Sequence, residues 1–186
     1  MTQELPTFET ERLILREIMV SDASNMFEYA KLSSVGPVAG WEPHTNINET
    51  KLIIQLMRDK KKYGQLGVFA IILKSENKMI GTLELHTYVP KFKATLGYAL
   101  SPYYWGQGIV VEAALELLKW GFITLQLSRI DCEIFTSNLQ SQRVCEKLHL
   151  QFEGIKKKAY LLYDGTVHDL YCYALTNDEY FKIYRP

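Results

Sequence analysis

The stretch from Ala94 to Phe122, ATLGYALSPYYWGQGIVVEAALELLKWGF, constrains the fold most. A β-patterned run, Ala94 to Leu100, meets a Ser101-Pro102 break and the loop Tyr103-Tyr104-Trp105-Gly106-Gln107-Gly108. A long amphipathic helix then continues without proline or glycine until Gly121. Strand, glycine loop and helix make an anion cradle. Gly106 and Gly108 remove side chains where backbone approaches a ligand or takes positive φ, and the unpaired amides of Ile109 to Val111 present the positive end of the helix dipole. A diphosphate suits that cradle. It is not a nucleotide-hydrolase loop, since no Gly-Lys-Ser/Thr follows, and Val111 stands where a dinucleotide fingerprint has its third glycine.

At 186 residues, with 47% apolar and 23% charged side chains, the chain suits one domain, 1–186, with its core over about 8–175. Twenty-one basic residues balance 21 acidic ones, so no general field gathers nucleic acid or an anionic membrane. The start, MTQELPTFETERL, has no basic or apolar leader pattern, and no 18-residue apolar run occurs, which leads us to expect a cytoplasmic protein. Cys132, Cys145 and Cys172 lie far apart in apolar runs, the pattern of free thiols rather than of a disulfide framework. The four histidines show no metal-binding spacing, so no metal is expected.

Periodicity predicts strands over 11–18, 67–73, 79–88, 94–100, 129–136, 152–163 and 167–175. Helices are expected from a Ser21 cap to about Leu32, from an Asn46 cap to near Gly64, from Ile109, and over 138–148 with Asn138 as cap. Val35 to Thr45, with two prolines and two glycines, reads as a loop in which Trp41 is a candidate lining an acceptor pocket. In 79–88, alternation puts Ile80, Thr82, Glu84, His86 and Tyr88 on one face and Met79, Leu83 and Leu85 on the other. Asp164-Gly165 marks a hairpin turn.

Two motifs together resemble the GNAT acetyltransferases, and in particular the branch containing the ribosomal-protein N-terminal acetyltransferases. The first is Gly97-Tyr98, Ser101-Pro102, Tyr104-Trp105-Gly106-Gln107-Gly108 and Glu112-Ala113, with Thr10-Glu11-Arg12-Leu13 resembling that branch's opening. The second is Asn138, Ser141, Glu146-Lys147-Leu148 and Glu153-Gly154. His149-Leu150 replaces the usual Gly-Phe, at a helix end where glycine normally takes a positive φ that histidine tolerates poorly but can adopt. Tyr103 and Val110 are further departures.

The resemblance implies the GNAT acyltransferase fold, an α+β (α-β-α) architecture: a mixed, mostly antiparallel sheet of about seven strands, splayed at a cofactor cleft and flanked by about four helices. It implies acetyl-CoA as co-substrate and transfer of acetyl to a primary amine by direct attack in a ternary complex, the amine belonging to a ribosomal or other protein N-terminus. A homodimer is frequent among such proteins. Backbone of Tyr98, Ala99 and Leu100 would pair with the pantetheine, and amides of Gly106, Gln107, Gly108, Ile109, Val110 and Val111 would hold the diphosphate. Asn138 would contact the pantetheine amide, and Ser141 would stand near the thioester sulfur as a donor to the leaving thiolate. Glu84, on a strand beside the cleft, is the first candidate for the base, with His86 on the same face toward the acceptor. Two other readings stay open: an acetyltransferase for small amines such as antibiotics, polyamines or amino acids, and a non-catalytic acyl-CoA-binding module.

Overall fold

A computed structural model describes residues 4–184. One eight-stranded sheet organises the chain: β1 (Phe8–Glu9), β2 (Leu13–Glu17), β3 (Val68–Leu73), β4 (Lys78–Val89), β5 (Lys93–Leu100), β6 (Arg129–Phe135), β7 (Gln151–Leu161) and β8 (Val167–Thr176). Its order is β1-β2-β3-β4-β5-β6-β8-β7. Every pairing is antiparallel except β5 with β6. Six α-helices accompany it among the described residues: α1 (Ala23–Ala30), α2 (Gly36–Ala39), α3 (Ile47–Asp59), α4 (Ile109–Lys119), α5 (Leu139–Lys147) and α6 (Asn177–Ile183).

The seven expected strands and four expected helices are all present; the two-residue β1 and helices α2 and α6 are additional. α2 interrupts the expected loop, with Pro37 in its first turn and Gly40 closing it at φ +91°. α6 follows a capping box in which Thr176 and Glu179 bond each other's backbone amides. At the start of α1 a 3₁₀ turn, Val20–Asp22, places Asp22 rather than Ser21 at the cap position. Its carboxylate accepts from the Met19 amide at 2.8 Å and is gripped by Arg16. Asn46 does cap α3, accepting from the Asn48 and Glu49 amides at 3.0 Å, an arrangement worth about 1 kcal/mol.

The sheet buries a core on each face. On one, Leu13, Leu15, Leu83, Leu85 and Leu96 meet Ala113, Leu117 and Leu118 of α4 and Cys145 and Leu148 of α5. On the other, Val68, Ala70, Met79 and Ala99 meet Met26 and Tyr29 of α1 and Ile54 of α3. Each large apolar side chain buried this way contributes about 1.5–3 kcal/mol. The expected facing of β4 holds over 82–86 and fails toward both ends, at Met79 and Ile80 and again at Tyr88, which packs with Leu83 and Leu85 after a second register shift between His86 and Val89. Ile71 pairs with Gly81 but Ile72 pairs with Met79, so Ile80 is a bulge. The extra residue shifts the alternation: Ile80 joins Leu83 and Leu85, and Met79 joins the opposite face with Thr82.

The parallel pair is short. β5 and β6 pair only at Lys93↔Arg129, Ala94↔Ile130 and Thr95↔Asp131. Beyond Thr95 the two strands part, leaving the β6-facing edge of β5 unpaired.

Candidate active site

A cleft of about 740 Å³ fills the gap where β5 and β6 separate. Leu96 to Leu100 form one wall, Cys132 to Phe135 the other, and Gly106 with Gly108 to Val111 one end. Gly106 and Gly108 take left-handed φ of +75° and +76°. Among the described residues no acceptor serves the amides from Gln107 to Val111, and α4 has no side-chain cap. These are orphan donors at a helix N-terminus, and they fit a diphosphate.

A second network fixes that loop. Glu112 accepts from the Thr10 hydroxyl at 2.5 Å and from the Arg12 amide at 3.0 Å, while Arg12 Nε meets its other oxygen at 2.6 Å. Arg12 Nη1 then donates to the Gln107 carbonyl at 2.9 Å. Burial pushes the Glu112 carboxyl upward, but these hydrogen bonds outweigh it and hold the pKa below the usual range. The Gln107 side chain turns away from the cleft, donating to the Tyr103 carbonyl at 3.1 Å. Neither Arg12 nor Glu112 was singled out in the sequence for a site role. The TERL opening and the early Glu of the helix carried the signal, but their meeting spans 100 residues.

Asn138 caps α5, its side chain accepting from the Ser141 amide at 3.0 Å, and both residues line the cleft. The Ser141 hydroxyl makes no hydrogen bond among the described residues. Beside it lies Tyr98, whose hydroxyl is buried without a hydrogen-bond partner. Burial drives that phenol well above its ordinary pKa, and nearby Ser141 offsets part of the rise. His149 takes the left-handed conformation, with φ +58°.

Of the two β4 candidates, His86 lines the cleft and Glu84 does not. Glu84 accepts from Lys60 Nζ at 2.5 Å. Burial lowers the His86 pKa, and Lys60 lowers it further, against raising contributions from Glu84 and Glu133; the imidazole is therefore neutral at pH 7. Trp41 packs in the core around α1 and α3, outside the cleft lining, its indole N–H buried without a partner. Asp131 and Glu133 line the cleft on the His86 side, paired with Arg129 and Lys156. Strand alternation could have placed both there once β6 was known to border the gap. Among the described residues no cluster of His, Cys, Asp and Glu could hold a metal, and no helix is long and apolar enough to cross a membrane.

The model of the acetyltransferase (GNAT) domain matches residues 12–151. A Bacillus licheniformis protein named "Uncharacterized N-acetyltransferase p20" is 30% identical over 177 residues, covering 95% of this chain and 99% of its own. A GNAT-family acetyltransferase structure from Bacillus anthracis superposes with a TM-score of 0.81 at 29% identity, over 94% of this chain and 100% of that one. The ribosomal-protein-S5-alanine acetyltransferase of Vibrio fischeri superposes with a TM-score of 0.77 at 26% identity, over 94% and 98% of the two chains.

Proposed function

Because the chain belongs to the GNAT acetyltransferase family, and is thereby an N-acetyltransferase, we propose that its acceptor is the α-amine of a protein N-terminus. The observation that carries the donor half is the unpaired β5 edge beyond Thr95 running toward the orphan amides of α4. That edge can take an extended amide-bearing chain as a further strand while the helix end takes its anion. The acceptor half is supported by 26% identity to a protein named for acetylating ribosomal protein S5.

Acetyl-CoA, the donor of this family, supplies an already activated thioester. The chain's own residues then have two protons to manage. An α-amine has a pKa near 8 and must lose a proton to attack. His86, neutral and lining the cleft, takes that proton in this reading, because the Glu84 carboxylate is engaged by Lys60. The Ser141 hydroxyl, lining the cleft, donates to the leaving sulfur. Holding amine and thioester together lowers the barrier further.

Free-thiol release from acetyl-CoA tests the proposal, measured with peptides beginning in Ser, Ala or Thr, their N-acetylated twins, and small polyamines and aminoglycosides. Saturable turnover on the free α-amine peptides alone is the expected result. Turnover confined to the small amines would replace this acceptor with a small molecule.

A further inference from the structure

One end of the cleft is bridged by a contact between segments 120 residues apart. Val35, Val38 and Ala39, in and before α2, line one wall there, and Phe135, Tyr160 and Leu170 line the wall across from them. The Tyr160 hydroxyl donates to the Gly40 carbonyl at 2.8 Å, tying the two walls together. On β6, Phe135 alternates with Ile134 and so projects from the sheet face opposite α4 and α5. The bridge therefore stands on the side of the sheet away from the helices that carry the phosphate cradle and Ser141.

Three features build this contact. First, β7 reaches it through a bulge. Lys156 pairs with Leu170 and Tyr160 with His168, so Lys157, Lys158 and Ala159 stand against Asp169 alone. The bulge is pinned: Lys158 takes φ +51° and its amide donates to Asp169 Oδ1 at 2.7 Å. Bulges beside active sites re-aim side chains, and this one sends Tyr160 across the gap. Second, the Tyr160 ring is held edge-on against Phe135, with centroids 5.1 Å apart, in a small core with Leu162 and Leu170. Third, Gly40 is fitted to its partner. It needs its left-handed φ, and a Cβ there would stand 2.4 Å from the Tyr160 hydroxyl.

We propose that the Tyr160–Gly40 bridge closes the acceptor end of the cleft into a ring. The accepted amine then enters end-on at the tip of a slim extended chain, as a peptide N-terminus does. Amines carried on bulky, rigid scaffolds are excluded by the same ring. The inference rests on the acetyltransferase reading of the cleft, and Tyr160 acts in it as a positioning residue.

Tyr160→Phe separates the bridge from the packing, since the ring stays on Phe135 while its donor is lost. Two readouts decide. Hydrogen exchange of the backbone amides over 35–45 should quicken about fivefold in the variant, the loss of one neutral hydrogen bond, with β8 unchanged. Equal exchange in both proteins would overturn the bridge. The second readout is the ratio of kcat/KM for a Ser-initiated hexapeptide to that for kanamycin. The wild type should favour the peptide, and the variant should narrow the ratio through a lower KM for kanamycin, with cofactor affinity by calorimetry unchanged. Gly40→Ala, which pushes the walls apart from the other side, should do the same. A ratio that neither substitution moves would overturn the ring. If the wild type acetylates neither amine, the acceptor reading above fails by itself, and hydrogen exchange alone decides the bridge.

Discussion

The imidazole of His86 lies against Gly97 so closely that a Cβ at position 97 would stand 3.0 Å from its Cδ2 and 3.3 Å from its Nε2. The two come from paired strands, with Glu84 opposite Gly97 and His86 opposite Thr95, so the ring leans diagonally across one rung toward the open side of the sheet. A side chain at 97 would take the space the imidazole uses.

Gly97→Ala should therefore displace His86 without touching the phosphate cradle. If His86 takes the acceptor's proton, a shift of the ring by about an ångström lowers kcat by roughly 10- to 100-fold. Acetyl-CoA affinity by calorimetry should stay near the wild-type value. Loss of cofactor binding together with rate would instead mean that β5 itself had been distorted.

The pH dependence of stability follows from two histidines. Burial lowers the pKa of His44, which shares a 2.8 Å hydrogen bond between its Nδ1 and the Thr50 hydroxyl, and burial likewise leads for His86. Both are neutral when folded, whereas in the unfolded chain they titrate near 6.5. Below that value the unfolded chain binds more protons than the folded one, so stability falls as pH drops from about 6.5 toward the lowered folded pKa, and is flat above. Urea unfolding at pH 7.5 and 5.5 should show the loss, and His86→Gln should reduce it. The lowered carboxyls, Glu112, Glu153 and Asp59 together with Glu49, Asp164 and Glu179, titrate below the ordinary carboxylate range and do not enter this window. A wild-type stability equal at the two pH values would sink the assignment.

The Arg12 clamp makes a different prediction. Arg12→Ala removes both the charged partner of the Glu112 carboxylate and the donor to the Gln107 carbonyl. Thr10 and the position-12 amide still hold one Glu112 oxygen, so we expect a stability loss of about 1 kcal/mol from the lost charged hydrogen bond, together with weaker acetyl-CoA binding as the loop loses its anchor. Arg12→Lys should restore charge but not the forked contact, and so recover stability better than affinity. Unchanged cofactor affinity in Arg12→Ala would show that the loop holds its shape unaided.

What was legible in the chain were its local patterns. The strand alternation outside the ends of β4, the Asn46 and Asn138 caps and the turn of the glycine loop each depend on residues a few positions apart, and each folds as read. At His149 the sequence left the helix end open, and the structure closes it with a left-handed histidine. Ile80 was not legible, since an apolar residue in an apolar strand fits either face and only the register with β3 exposes the bulge. Thr176 and Glu179 were a readable capping box, and α6 was missed for lack of a long apolar stripe after it. The contacts that select among candidate site residues were out of reach for another reason. Lys60 to Glu84, Arg12 to Glu112 and Tyr160 to Gly40 join residues 24, 100 and 120 positions apart, where no period connects them.

Ser141 is where the two proposed protons are most easily separated. Its hydroxyl lines the cleft beside the buried Tyr98 hydroxyl, and Ser141→Ala, a small change in the first turn of α5, should leave the fold intact. The Asn138 cap bonds the Ser141 amide rather than its side chain and survives the change. A donor lost from a developing thiolate is worth about as much as a hydrogen bond to a charged group, which lowers kcat roughly 10- to 100-fold. KM for acetyl-CoA should hardly move. The neighbouring Tyr98→Phe gives the contrast. Its hydroxyl is buried behind the cleft wall, so it is the less accessible of the two groups, and removing a hydroxyl without a geometric hydrogen-bond partner costs little stability. Ser141→Ala and Tyr98→Phe should therefore part company: a slow enzyme with normal cofactor binding in the first, and a nearly normal one in the second. A Tyr98→Phe rate as low as that of Ser141→Ala would mean that the phenol holds the serine in place, and that the donor is the pair.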